Sequence, residues 1–203
     1  MKIIDADDTR MIDLPRVGSC PRPVDIDQGV TGFHRLKSLR IYRFKPGPTI
    51  YGDSETDEVF ILPLSGAFDM QINGAHPLIA RVSALGPTRA LYMPPSHSYS
   101  LTPRSSVMVA YARAGAQGRI ATRSLAETEC VALAEHLRYR LVTATAGQPI
   151  DPGWGGETLV HVVDGALDLT HGRIAMGQTL ALVEAEAVQL RCQSDTRLLI
   201  IGV

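Results

Sequence analysis

The chain has 203 residues, 45% of them apolar, and a formal charge of −1, which is enough for one large or two small hydrophobic cores. Near-neutrality and the lack of a Lys/Arg stripe exclude an electrostatic footprint for nucleic acid or anionic lipid. No apolar run approaches the roughly 20 residues that span a bilayer. Cys20, Cys130 and Cys192 are too scattered for a zinc pair or a disulfide frame, and read as thiols of a reducing compartment.

In chain order, residues 1–30 read as an irregular arm with prolines and scattered acids, packed across a barrel or onto a partner subunit. The opening Met1–Asp8 has acids where a signal peptide needs an apolar stretch, so a cytoplasmic protein is expected. Residues 31–113 form a first unit with short apolar strands at 38–44, 58–64, 67–72, 90–93 and 107–112. They are punctuated by Pro46-Gly47-Pro48, Asn73-Gly74 and Pro94-Pro95. Residues 114–137 are a connector. Ser124 and Glu127 make a capping box and Cys130, Leu133 and Leu137 share a helical face, so a short helix is expected there. Residues 138–203 form a second unit with strands at 138–145, 157–163, 166–169, 179–183, 187–191 and 197–202. Many short strands between regular turn signals mean a sandwich or barrel.

The two units repeat. Glu58, Gly66 and Asp69 recur as Glu157, Gly165 and Asp168, each 99 residues on, in the same strand–turn–strand setting. Arg40–Gly47 is echoed by Tyr139–Gly147, and Ser106–Tyr111 by Arg197–Ile201. The doubling of Asp69 and Asp168 points to a structural task at the turn.

A strand, Glu-x7-Gly, a further Gly and a Pro-Pro turn resemble the cupin superfamily. More closely, Gly32-Phe33, Leu39–Phe44, Glu58 with Leu64-Ser65-Gly66, Ala90–Pro95 and Ser98–Thr102 resemble the 5-deoxy-glucuronate isomerase family of inositol catabolism and, more distantly, the uronate ketol-isomerases. That stretch is about a third of the chain and is similar to the amino-terminal half of those enzymes. The resemblance implies an all-β protein of two tandem cupin-like (double-stranded β-helix, or jelly-roll) barrels with a short connecting helix, assembled as a homodimer. It also implies a metal held in the second barrel by a His-x-His, a Glu and a further His. Here the corresponding Pro152–Thr158 and Gly177–Asp195 have no histidine, and only Glu157 survives.

A divalent ion needs three or four convergent His and carboxylate ligands. The first unit offers Asp53, Glu55, Asp57 and Glu58 with His97, although the metal-histidine position is held by Tyr99. No cofactor is therefore expected, and a divalent metal is the alternative. If the protein is catalytic, Glu58 or His97 is the candidate general base. Tyr92, Tyr99, Tyr111 and Arg104, together with Arg113, offer hydroxyls and guanidinium groups to a carboxylated sugar, or are packing and surface residues. In the second unit Trp154, Glu157 and His161 are the candidates for a barrel mouth, with His171 and Arg191 nearby. His161 sits in the apolar run Leu-Val-His-Val-Val, where a core histidine is the competing reading. Three functions follow: a metal-independent binder of a carbohydrate-like or carboxylated small molecule, a sugar isomerase-type enzyme working in the first barrel, or an interaction module. Fold alone does not choose among them.

Overall fold

A computed structural model describes residues 1–126, 129, 130, 134–153, 155–170, 172–183 and 188–203, with only the backbone given at 129 and 130. Each unit is a pair of antiparallel sheets. In the first, a six-stranded sheet runs in the order Arg123–Leu125, Ala90–Met93, Asp57–Ser65, Val107–Gly115, Leu36–Phe44 and Val24–Asp27. It faces a four-stranded sheet of Ile50–Asp53, Ser98–Pro103, Ala67–Asn73 and Leu78–Ser83. The second unit repeats this with Lys2–Ile4, Thr179–Leu182, Thr158–Asp164, Thr196–Gly202, Arg138–Ala144 and Glu129–Cys130 over Pro149–Ile150, Leu190–Cys192, Ala166–Leu169 and Gly172–Ala175. The protein is thus all-β, with two tandem cupin-type jelly rolls.

The central strands are apolar at nearly every position because they are buried on both faces. Along Asp57–Ser65, Val59 and Ile61 point into the first unit, between its sheets. Phe60, Leu62 and Leu64 point the other way and meet Tyr139, Leu159, Leu199 and Ile201 of the second unit. Val160, Val162, Leu198 and Ile200 fill the interior of the second unit. The two six-stranded sheets therefore pack back to back, and one continuous core joins the halves.

The arm departs from expectation. It is not irregular but forms four strands. Lys2–Ile4 pairs with Thr179–Leu182 of the second unit, Met11–Leu14 and Gly18–Pro21 make a hairpin, and Val24–Asp27 pairs with Leu36–Phe44 of the first unit. The connector mirrors it. Arg123–Leu125 adds to Ala90–Met93 of the first unit, and Glu129–Cys130 adds to Arg138–Ala144 of the second. This also corrects the expected connecting helix. Ser124 stands opposite Leu91 in a strand, so its local capping signal yields to sheet pairing; Glu127 and Leu133 lie outside the described residues. The one helix among the described residues is the single turn Gln28–Thr31, capped by Asp27 and closed by Gly32. Among the described residues no helix is long and apolar enough to cross a membrane.

The repeated glycines have one cause. Gly66 and Gly165 sit at φ 71° and 82°, and a Cβ on either would lie 2.4 Å from the carbonyl oxygen of Ser106 or Asp195. Gly165→Ala is expected to cost about 3 kcal/mol, summing left-handed strain and the clash; chemical denaturation measures it, and a loss below about 1 kcal/mol would contradict this account.

Candidate functional site

The two repeated glutamates do equivalent structural work. The Glu58 carboxylate is fully buried and accepts hydrogen bonds from three successive backbone N–H groups, Glu135 (2.9 Å), His136 (2.8 Å) and Leu137 (2.6 Å), and from the Tyr92 hydroxyl (3.1 Å). Glu157 accepts from the N–H groups of His34 (2.5 Å), Arg35 (2.8 Å) and Leu36 (2.7 Å). Each glutamate thus clamps the segment that leads into the first long strand of the other unit. Burial pushes the Glu157 carboxyl pKa up, but the three N–H bonds outweigh it and hold it below the ordinary value. Burial beside the Glu58 carboxylate keeps the Tyr92 phenol protonated.

Glu58 is therefore a clamp whose acceptors are taken, not a base open to substrate. His97 is similarly committed. It is 5% exposed, its Nδ1–H donates to Pro95 O at 2.8 Å, and its Nε2 accepts from the His76 N–H at 3.2 Å. Those two partners fix the neutral Nδ1–H tautomer. The ring packs against Gly74, where a Cβ would lie 2.4 Å from it. His161 is a core histidine. Its Nδ1 meets Thr179 Oγ1 at 2.9 Å, and burial pushes its pKa down to about 4. Arg104 is exposed and bonds Asp69 together with Arg81, and these bonds lower the Asp69 carboxyl. Arg191 donates to Gly147 O at 3.1 Å. Trp154 and His171 lie outside the described residues.

Tyr99 and Tyr111 come together in a cavity of about 260 Å³ in the first unit. Tyr42, Tyr99 and Tyr111 line one side, Asp53, Glu55 and Arg113 the rim, and Leu14 of the arm hairpin closes over it. Two loops shape the rim. Ser54 N–H bonds His97 O at 2.9 Å, Ser96 N–H bonds Glu55 O at 2.8 Å, and the buried Ser54 hydroxyl donates to Pro94 O at 2.7 Å. These bonds hold Glu55 and Ser96 left-handed, at φ 50° and 61°, and such strain persists only where the surroundings fix it. Arg113 is tied by Nη2 to Ser54 O at 2.7 Å, while its Nε faces Asp57 Oδ2 at 3.2 Å without hydrogen-bond alignment.

The tyrosines form a packed set. Tyr42 is edge-on to Tyr111 with centroids 5.4 Å apart, and Tyr111 stacks on Tyr99 at 6.0 Å. Tyr99 lies on Gly52, where a Cβ would come within 2.6 Å of the ring. Burial pushes the Tyr99 phenol up to about 12 and that of Tyr111 well above its usual range, the latter helped by neighbouring Tyr99. Tyr111 is 7% exposed, and although Tyr99 is its polar neighbour, no hydrogen bond of ordinary geometry satisfies its hydroxyl. Tyr42 was not marked by the sequence as a site residue. Its signal was an aromatic pair, Tyr42 and Phe44, two apart on a strand ending in Pro-Gly.

The site does not fit a divalent metal. Its donors are two exposed carboxylates and the tyrosine phenols, of which those of Tyr99 and Tyr111 are kept neutral by burial, and the strand beneath continues as apolar Val59 and Ile61. Among the described residues no group of three or more His, Cys, Asp or Glu could hold a metal ion. In the second unit, Leu190 pairs with Leu169 as Leu101 pairs with Met70. Val188 thus stands where Tyr99 does, and no donor replaces it.

A model of the KduI/IolB family matches residues 23–135, while no curated protein matches the sequence. Among solved structures, a variant of oxalate decarboxylase from Bacillus subtilis aligns with a TM-score of 0.74 at 10% identity, over 98% of this chain and 76% of that one. YhhW from Escherichia coli gives 0.70 at 12% identity, over 100% and 97%, and bacterial pirin YhhW has also been crystallised with nickel(II). An IolB-like protein from Salmonella typhimurium LT2 gives 0.69 at 12% identity, over 90% and 89%. At such identities these likenesses speak for the fold.

Proposed function

Since this chain belongs to the KduI/IolB family, we propose that it keeps the family's sugar-acid chemistry as recognition alone: its first unit binds a small, hydroxyl-bearing carboxylated ligand in the tyrosine-lined cavity, without a metal. The observation that carries this reading is the Tyr111 hydroxyl, buried in the wall of that cavity beside Tyr99 and without a hydrogen bond of ordinary geometry among the described residues. An unsatisfied buried hydroxyl costs about 1–3 kcal/mol, and a ligand hydroxyl or carboxylate oxygen would supply its missing bond. Arg113 contributes positive charge at the rim, held in one orientation by Ser54 and Asp57. Tyr99 and Tyr42, whose faces are packed against Tyr111 and Phe44, give the wall their ring edges as apolar surface for the carbon skeleton. An isomerase reading gains no support from Glu58 and His97, whose polar atoms are engaged within the fold.

The test is calorimetric titration with glucuronate, galacturonate and inositol, in parallel with elemental analysis after growth with manganese, iron, nickel and zinc. A uronate is expected to bind the metal-free protein. Tyr111→Phe should leave stability unchanged or raise it by about 1 kcal/mol, because it deletes an unsatisfied group, while weakening the uronate roughly tenfold. Equal affinity in wild type and Tyr111→Phe would sink the assignment of the cavity. Near-stoichiometric metal in the purified protein would sink its metal independence.

A further inference from the structure

A second, larger cavity, of about 670 Å³, lies between the arm hairpin and the first unit, in the range of small-molecule sites. Its walls are mostly apolar, with Ser19, Ser65 and Ser106 among them. Phe44, Ile50 and Val107 belong to the interior core of the first unit, Cys20 comes from the hairpin, and Met108 completes the surface. Its charged groups are Arg43 and Lys45, and no carboxylate lines it. The Arg43 guanidinium is held by Asp8 at 2.8 Å, whereas Lys45 is exposed and makes no ion pair among the described residues. The cavity thus pairs an apolar body with one uncommitted cation at its edge. Phe44 and Ile50 also line the tyrosine cavity, so the two spaces share a wall but differ in character.

We propose that this cavity is a second ligand site, distinct from the tyrosine cavity, for an amphipathic monocarboxylate whose hydrocarbon body lies against Phe44, Val107 and Met108 and whose carboxylate meets Lys45. The mostly apolar walls favour a hydrocarbon body over a sugar, whose many hydroxyls would find few partners there. The absence of acids together with Lys45 selects an anion over a neutral alkane-like molecule.

Octanoate and its uncharged analogue octanol serve as probes in calorimetric titration of the full chain. Octanoate is expected to bind one-to-one. Lys45→Glu should weaken it by about tenfold or more, and Ser19→Trp, which fills the cavity from the exposed hairpin, should abolish it. Tyr111→Phe should leave octanoate binding untouched, which separates this site from the uronate site. Failure of octanoate to bind the wild type would overturn the proposal, as would octanoate affinity unchanged by Lys45→Glu or, in a folded variant, by Ser19→Trp. Octanol binding as tightly as octanoate would overturn the role of Lys45.

Discussion

Replacing Glu58 by alanine is expected to lower the unfolding free energy by about 4 kcal/mol, because the buried acceptor of several hydrogen bonds is lost at once. For a chain of this size that is a fall in melting temperature of roughly 8–16 °C. The N–H groups of Glu135, His136 and Leu137 and the Tyr92 hydroxyl all converge on this carboxylate, at a side chain with 0% exposure. Water has little room to take its place, so each donor bears its own desolvation cost. Glu58→Gln keeps the shape but sets an NH₂ against N–H donors, and should cost about half as much. Glu157→Ala removes the equivalent clamp at a less buried site and should cost about 2 kcal/mol. Thermal unfolding of the three variants gives the ranking. A Glu58→Ala protein that melts like wild type would rule out the clamp and return Glu58 to the list of candidate bases.

Between pH 6.5 and about 4, acidification should destabilise the protein chiefly through His161. His161 has its pKa pushed down to about 4 by burial, against about 6.5 in an unfolded chain. Below pH 6.5 the unfolded state takes up a proton that the folded state refuses until about pH 4. Stability is therefore intact above 6.5, falls as pH drops through that window, and the loss totals about 3 kcal/mol at its foot. His161→Gln can keep a bond to Thr179 and cannot titrate, so its stability curve between pH 7 and 4.5 should be flatter than wild type by about 2.5 kcal/mol. Parallel curves for the two proteins would mean that another group governs the acid response. Glu157, whose carboxyl is held below its ordinary value, adds a loss of the same sign but in a lower window, as pH falls through its folded pKa.

The repeat was readable in the sequence because identical contacts hold both copies of it: Gly66 and Gly165 each face a carbonyl oxygen, and Glu58 and Glu157 each gather three N–H groups. Long central strands were readable because burial on both faces makes them continuous apolar runs. Edge strands were not. Lys2–Ile4 and Arg123–Leu125 are three residues each, and only their remote partners, Thr179–Leu182 and Ala90–Met93, make them strands. The turn at His97 was not legible: the strand begins at Ser98 and left-handed Ser96 bends the chain just before it, which the spacing to Tyr99 does not show. The role of the glutamates was hidden because their partners are backbone groups far away in the chain, which carry no sequence signature.

Each unit lends its leading segment to the other: Lys2–Ile4 and Arg123–Leu125 cross over, and Glu58 and Glu157 secure the strands that follow. This is the geometry of an isologous dimer with exchanged arms, folded into one polypeptide. A single unit on its own would expose Phe60, Leu62 and Leu64 and would leave one clamp empty, so it would need a second copy of itself to be stable. Tethering replaces that concentration-dependent encounter with an intramolecular one. Once the pairing no longer depends on two identical chains, either copy is free to differ in its cavity side chains without loss of fold, as Val188 at the position equivalent to Tyr99 illustrates. The faces that two identical units would share are already buried against each other within one chain.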